Sequence, residues 1–256
     1  MNPKILAFSG IKQAGKSTSV RFLHGLLMKK YDIIDFFDIS DRGELIVNTT
    51  TVNNEGEEVL GKGILDIDRK DLDFVEYAEK SIWPFVKSYN FADPLKQLCI
   101  NLFGLKYSQC YGTDNEKNTD ANIMWESLPD GLSSKDEKGP MTAREFMQYF
   151  GTDICRRIKY DIWVDFCIKR IIEEQPELSL IGDCRFINEF EALKSVGAKV
   201  VRLTKGRVKA AHKSETELDE SNFDWNKFDM VLDNKNMTIK QSNEALLRKL
   251  NEWGWL

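Results

Sequence analysis

The chain has 256 residues, enough for one large domain or two small ones and for a full hydrophobic core without disulfide staples. Lys and Arg number 36 and Asp and Glu 41, a formal charge of −5, which argues against the basic footprint of a nucleic-acid binder; no apolar run approaches the length of a membrane span. The N-terminal MNPKILAFSG is too short and strand-like for a secretory signal, and Cys99, Cys110, Cys155, Cys167 and Cys184 form no Cys-x-x-Cys pair, so a reducing, cytoplasmic setting with buried thiols is expected.

Lys4 to Ser9 (KILAFS) is an apolar run that stops at Gly10, the pattern of a buried strand and a turn. From Lys16 to Lys29, Val20, Leu23, Leu27 and Met28 recur near helical spacing. Between them, Gly10-Ile11-Lys12-Gln13-Ala14-Gly15-Lys16-Ser17 matches G-x-x-x-x-G-K-[ST] at every fixed position. Glycines let the backbone turn its N–H groups toward phosphate oxygens, and the following helix points its N-terminus at the same anion. Lys16 is expected to reach the β- and γ-phosphates and Ser17 to ligate Mg²⁺. Such a loop implies a nucleoside triphosphate without fixing the chemistry. Asn234-Lys235-Asn236-Met237 lacks the Asp of the GTPase base-recognition motif, and no LSGGQ-like signature is present, which leaves a small nucleotide or metabolite kinase.

Residues 31–88 read as an insertion: ELIVNTTTV and EEVLGKGILDI flank NNEG, a hairpin signal, and helical spacing returns from Asp68 to Lys87, with Pro84 as an end or kink. Residues 89–91 suggest a short strand. Asp93-Pro94 suggests a helix capped by Asp93, with Leu95, Leu98, Leu102 and Phe103 on one stripe and Gly104 as the stop. Residues 112–120 and 129–140 read as polar loops. Thr142 and Glu145 form a capping box that opens a helix through about Phe150, and a further helix covers 160–174. Arg144 and Gln148, four apart, share a helix face and could pair an arginine for phosphate with an amide for a base edge; Asp153 and Arg156 follow. Tyr149, Phe150 and Trp163 could stack on a base or fill the core.

Leu178–Gly182 is a second apolar strand ending at Asp183, which could hold Mg²⁺ through water, with Arg185 placed to clamp a phosphate. A helix over 188–196, strands at 199–203 and 229–232 and a helix over 238–252 complete the chain. Arg202, Lys205, Arg207 and Lys209 precede His212-Lys213-Ser214-Glu215, a local basic cluster. The alternation predicts an α/β P-loop NTPase fold: one domain over 1–256, a five-stranded, mostly parallel sheet with helices on both faces, and a β-hairpin in the insertion. Segments 105–141 and 205–222 are candidates for closing over substrate, and a symmetric dimer is the default expectation.

FSGIKQAGKST (8–18), FADPLKQLCINLFG (91–104), REFMQYFGTDICRR (144–157), the Trp163 region, IGDCRFINEFEAL (181–193) and HKSE (212–215) together make the chain resemble the deoxynucleoside monophosphate kinases of tailed bacteriophages. The resemblance implies ATP as donor, Mg²⁺ as cofactor and a deoxynucleoside 5′-monophosphate as acceptor. It implies that Gly15, Lys16, Ser17 and Thr18 bind ATP, with Gly10 and Ala14 of the same loop and Arg207 of the basic cluster as further candidates for the donor phosphates. Lys12 would face the acceptor phosphate. Asp93, Lys96, Arg144, Gln148, Thr152, Asp153, Arg156, His212 and Glu215 would bind the acceptor, and Arg185 would clamp phosphate with Asp183 and Glu189 in support. Ile187 departs from the family's DxRFPNE pattern, where Pro is expected. The competing readings are a P-loop kinase for another small metabolite and a non-catalytic nucleotide-binding protein that uses the 31–88 surface.

Overall fold

In the computed structural model, which describes residues 4–52, 55–128, 138–206 and 216–256, the chain runs β1 (Lys4–Ser9), α1 (Lys16–Lys30), β2 (Phe37–Ile39), β3 (Leu45–Val52), β4 (Glu58–Ile64), α2 (Leu72–Ser81), β5 (Val86–Tyr89), α3 (Asp93–Phe103), α4 (Tyr107–Tyr111), α5 (Asp114–Lys117), β6 (Asp120–Met124), β7 (Pro140–Thr142), α6 (Ala143–Gln148), a π-helical segment (Tyr149–Cys155), α7 (Arg156–Ile158), α8 (Ile162–Glu174), β8 (Leu178–Cys184), α9 (Ile187–Ser195), β9 (Lys199–Leu203), β10 (Met230–Leu232) and α10 (Ile239–Glu252). Where the sequence reads as one core with insertions, these residues form two compact units, Met1–Asn90 with Ile168–Leu256, and Phe91–Cys167.

The first unit holds the predicted sheet, in the order β10-β9-β1-β8-β5. Every pairing is parallel. A parallel strand between two neighbours buries both faces and must be apolar throughout; β1 and β9 are buried at every residue but their first. At its exit β1 pairs Ser9 with Cys184 on one side and Arg202 on the other. The chain leaves β1 toward β5 and leaves β9 toward β10. That reversal makes the crevice between β1 and β9 a topological switch point, where ligands of open α/β sheets bind. Leu23, Leu27 and Met28 of α1 and Leu246 and Leu250 of α10 join Leu6, Phe8, Leu180 and Val201 in the core.

The insertion carries the expected hairpin, β3 against β4 from Ile46↔Ile64 to Val52↔Glu58. The unexpected strand β2 adds to it. Leu45 and Val47, two apart, point inward and are buried.

Three boundaries differ from the sequence reading. The strand expected at 89–91 lies at Val86–Tyr89, because α2 ends at Ser81 and Pro84 frees the next residues for the sheet. Asp93 does not cap α3; it is the first helical residue, after Ala92, with no side-chain cap bond. β8 continues through Cys184, so Asp183 sits within the strand's last turn of pleat instead of beyond it.

In the second unit β6 pairs antiparallel with β7, and Cys99, Cys110, Met141, Phe146 and Tyr149 form a separate core. Residues 112–120, expected as a loop, contain α5 and the start of β6. Their polarity hides a helix start: the Glu116 carboxylate accepts from Thr113 N–H at 2.7 Å while Thr113 Oγ1 accepts from Glu116 N–H at 3.3 Å. The Thr142–Glu145 box forms as predicted. Residues 129–137 and 207–215, which include parts of both expected closing segments, lie outside the described residues.

His24 joins α1 to β5. Its Nε2 lies 2.7 Å from Ser88 Oγ, and its buried Nδ1 has no hydrogen-bond partner among the described residues. Burial lowers its pKa from 6.5 to about 3, so the unfolded chain takes up a proton first as pH falls. Stability from this site is full above pH 6.5 and declines below it, by about 2 kcal/mol at pH 5. His24→Leu is expected to flatten the pH 7.5-to-5 loss of unfolding free energy by about that amount in urea titrations; an unchanged slope would refute the assignment.

Candidate functional site

The phosphate-loop motif occupies the exit of β1. Gly10 has φ 152°, and a Cβ there would lie 2.8 Å from the Leu203 carbonyl oxygen of β9. Gln13 and Gly15 are also left-handed, at φ 66° and 101°. These turns change the direction of successive peptide units so that N–H groups can converge on an anion. Ala14 N–H closes the loop onto Ile11 O at 3.2 Å. Lys16 Nζ donates to Gly10 O at 2.5 Å and Ile11 O at 2.8 Å, placing the ammonium across the loop. α1 then starts with no side-chain cap and no acidic residue in its first turn, which leaves its positive end uncompensated. Ser17 and Lys12 are exposed. Thr18 packs its side chain against Gly43 of the β2–β3 turn.

β8 ends beside this loop. Asp183 is half-buried, and the Cys184 thiol is buried and pushed well above its usual range, chiefly by burial. Arg185 is exposed. Its backbone is held: the buried Glu189 carboxylate accepts from Arg185 N–H at 2.8 Å and Phe186 N–H at 3.1 Å. Helix α9 begins at Ile187, a first helical position that favours Pro without requiring it. The departure from the family pattern therefore leaves the helix start in place.

Two further residues matter that the sequence reading places elsewhere. Arg202 is 5% exposed; it donates from Nη1 to Ser9 Oγ at 3.0 Å and from Nη2 to Asp219 at 2.5 Å. It belongs to the sheet and not to a solvated basic cluster. Asn234, noticed only for failing a GTPase motif, is 4% exposed and bonds to Ala14 of the phosphate loop. Neither shows its observed role in the sequence, since each depends on strand neighbours distant in sequence.

The remaining candidates lie in the second unit. Asp93 and Lys96 are on α3, and Lys96 Nζ lies 4.4 Å over the Tyr111 ring. Arg144 on α6 pairs with Asp114 at 2.7 Å, and Gln148 is exposed. Thr152 and Asp153 are exposed on the π-helical segment, a widened turn often found at functional positions, and Arg156 follows it. Gly151 permits that segment's close approach to Leu95, whose Cδ2 lies 2.5 Å from where a Cβ would be. Trp163 is buried and donates to Gly151 O at 3.2 Å. Tyr149 packs edge-on against Trp125, and Phe150 stacks on Phe146. Tyr149 and Trp163 are core, which removes them as base-stacking candidates, and Phe150 is half-buried against the same cluster. Arg207, His212 and Glu215 lie outside the described residues.

Residues 4–243 match the family model described as deoxynucleotide monophosphate kinase. A protein of Acanthamoeba polyphaga mimivirus, whose name places it provisionally among deoxynucleotide monophosphate kinases, is 29% identical over 170 residues, covering 59% of this chain and 76% of the relative.

Glu189→Ala removes the acceptor of two backbone N–H groups and is expected to cost about 1–3 kcal/mol of unfolding free energy. Arg185→Lys, which leaves those bonds intact, is expected to stay within about 0.5 kcal/mol of wild type. Equal losses in chemical denaturation would show that Glu189 does not hold this turn.

Proposed function

Because the chain belongs to the deoxynucleotide monophosphate kinase family, whose members phosphorylate a deoxynucleoside 5′-monophosphate with ATP as donor, we propose a division of its residues between the two nucleotides and a catalytic cluster at the exits of β1 and β8. The reaction is ATP + dNMP → ADP + dNDP. The observation that supports the cluster is the placement of Lys16 across the phosphate loop, with Asp183 and Arg185 on the neighbouring strand exit.

The acceptor phosphate has a second pKa near 6, so its attacking oxygen is already largely ionised at neutral pH and no strong general base is required. Catalysis then consists of in-line positioning and charge neutralisation. The N–H groups of the loop and of the first turn of α1 hold the donor phosphates. Lys16 exchanges its two carbonyl partners for phosphate oxygens, a replacement of neutral acceptors by charged ones. Arg185, on a turn fixed by Glu189, clamps a phosphate bidentately. The exposed Ser17 hydroxyl and the Asp183 carboxylate are hard oxygen donors of the kind Mg²⁺ takes, and they would hold it, where it offsets charge on the phosphates.

Lys12 serves the acceptor phosphate, and Asp93, Lys96, Arg144, Gln148, Thr152, Asp153 and Arg156 serve the acceptor nucleotide. The support for these is motif resemblance together with the exposure of Gln148, Thr152 and Asp153. Among the described residues no helix is long and apolar enough to cross a membrane. A cytoplasmic enzyme acting on free nucleotides, without nucleic acid and as a homodimer, is the setting we propose.

ADP release measured with ATP and Mg²⁺ across a panel of dNMPs and other metabolites is expected to depend on a dNMP. Lys16→Ala and Arg185→Ala are each expected to lower kcat by at least about 10²-fold with the fold retained. Near-wild-type turnover in both variants, or ATP binding without dNMP-dependent ADP release, would overturn the assignment.

A further inference from the structure

Asn234 follows β10 and its carboxamide works in two directions. Nδ2 donates to Ala14 O at 2.9 Å, and Oδ1 accepts from Lys205 N–H at 2.8 Å. A carbonyl can only accept and a backbone N–H can only donate, so one orientation of the amide satisfies both. The loops after β9 and β10 are also joined without Asn234: Thr204 Oγ1 donates to Asp233 at 2.6 Å and Thr204 N–H to Leu232 O at 3.2 Å. What Asn234 adds is the bond to the phosphate loop.

That bond bears on a specific donor. The Ala14 carbonyl and the Gly15 N–H belong to one planar trans peptide unit and point in opposite directions. Holding the carbonyl toward Asn234 therefore fixes where the Gly15 N–H points. Gly15 cannot supply this restraint, because at φ 101° it occupies a region that glycine enters and leaves freely. A side chain buried behind the loop can supply it, and Asn234 Nδ2 lies only 3.5 Å from the position of a Gly15 Cβ.

We propose that Asn234 is a positioning residue for the donor phosphates: by pinning the Ala14–Gly15 peptide from behind, it aims a phosphate-loop N–H at ATP. The inference rests on the donor half of the functional reading and goes beyond it in assigning a role to a residue outside the loop motif.

Asn234→Asp keeps the side-chain shape and the acceptor for Lys205 N–H but turns a carboxylate oxygen toward the Ala14 carbonyl. Calorimetric titration with ATP and Mg²⁺ is expected to give a Kd at least about tenfold weaker than wild type, with the dNMP Kd within about twofold. An unchanged ATP Kd, or equal weakening for ATP and dNMP, overturns the proposal. Should the Asp variant fail to fold, Asn234→Ser is titrated the same way; a weakening for ATP alone of about threefold or more is expected, and an unchanged Kd overturns it. ATP binding is read here without acceptor or turnover. A negative dNMP panel therefore speaks against the activity, whereas an unchanged ATP Kd speaks against Asn234.

Discussion

The parallel pairing of β1 with β8 and β9 is the constraint on which the rest depends. It sets Ser9 between Cys184 and Arg202, so three strand exits meet at one level of the sheet. The phosphate loop, the Asp183–Arg185 turn and the Thr204–Gly206 segment are brought together by that register and by nothing local to any of them. A parallel strand cannot slip by one residue without exchanging its two buried faces, and β1, buried from Ile5 to Ser9, has no tolerant face to offer.

Around these exits the loops are held by buried polar side chains as well as by the apolar packing of Ile11 and Ala14. Glu189 ties down the turn after β8, Arg202 joins Ser9 to Asp219, and Asn234 joins the phosphate loop to Lys205. Each sits at 5% exposure or less. This choice has a physical reason. Loop backbones that must present N–H groups to a ligand cannot also satisfy one another, so their carbonyls and remaining amides need partners from side chains. Removing one partner then leaves a desolvated group unmet, which costs more than the bond contributed. Precision in the loop is thereby coupled to stability in the sheet.

The sheet was legible because its information is local: KILAFS, LSLIG and KVVRL are apolar runs bounded by turn residues, and the phosphate loop is a contiguous motif. The hairpin at 45–64 was legible for the same reason. Boundaries were lost where local signals compete. Asp93 looked like a cap because Asp-Pro favours a helix start, yet the helix begins one residue earlier than a capping role allows. Residues 112–120 looked like a loop because capping boxes are made of the same polar residues as loops. Arg202 and Asn234 were not legible as site residues, since their partners Ser9, Asp219, Ala14 and Lys205 become neighbours only through the order of the strands. In the second unit, burial of Trp163 and Tyr149 could be separated from base stacking only once their partners were known.

The net charge of −5 and a site for two phosphorylated ligands are compatible because charge acts over a short range. At physiological ionic strength the Debye length is about 8 Å, so most surface carboxylates contribute little at the loop. What would act there on the proposed reading is local: an α1 first turn without an acidic residue, the Lys16 ammonium, and the exposed Arg185 guanidinium. Backbone N–H groups supply much of the rest, and these carry no net charge to appear in a composition. An anion site built from oriented peptide dipoles is therefore hidden from charge counting, and it depends on the direction of each peptide plane more than on the number of cations nearby. Mispointing one N–H removes a donor whose position no mobile lysine can reproduce, because its direction is set by the plane and its neighbours.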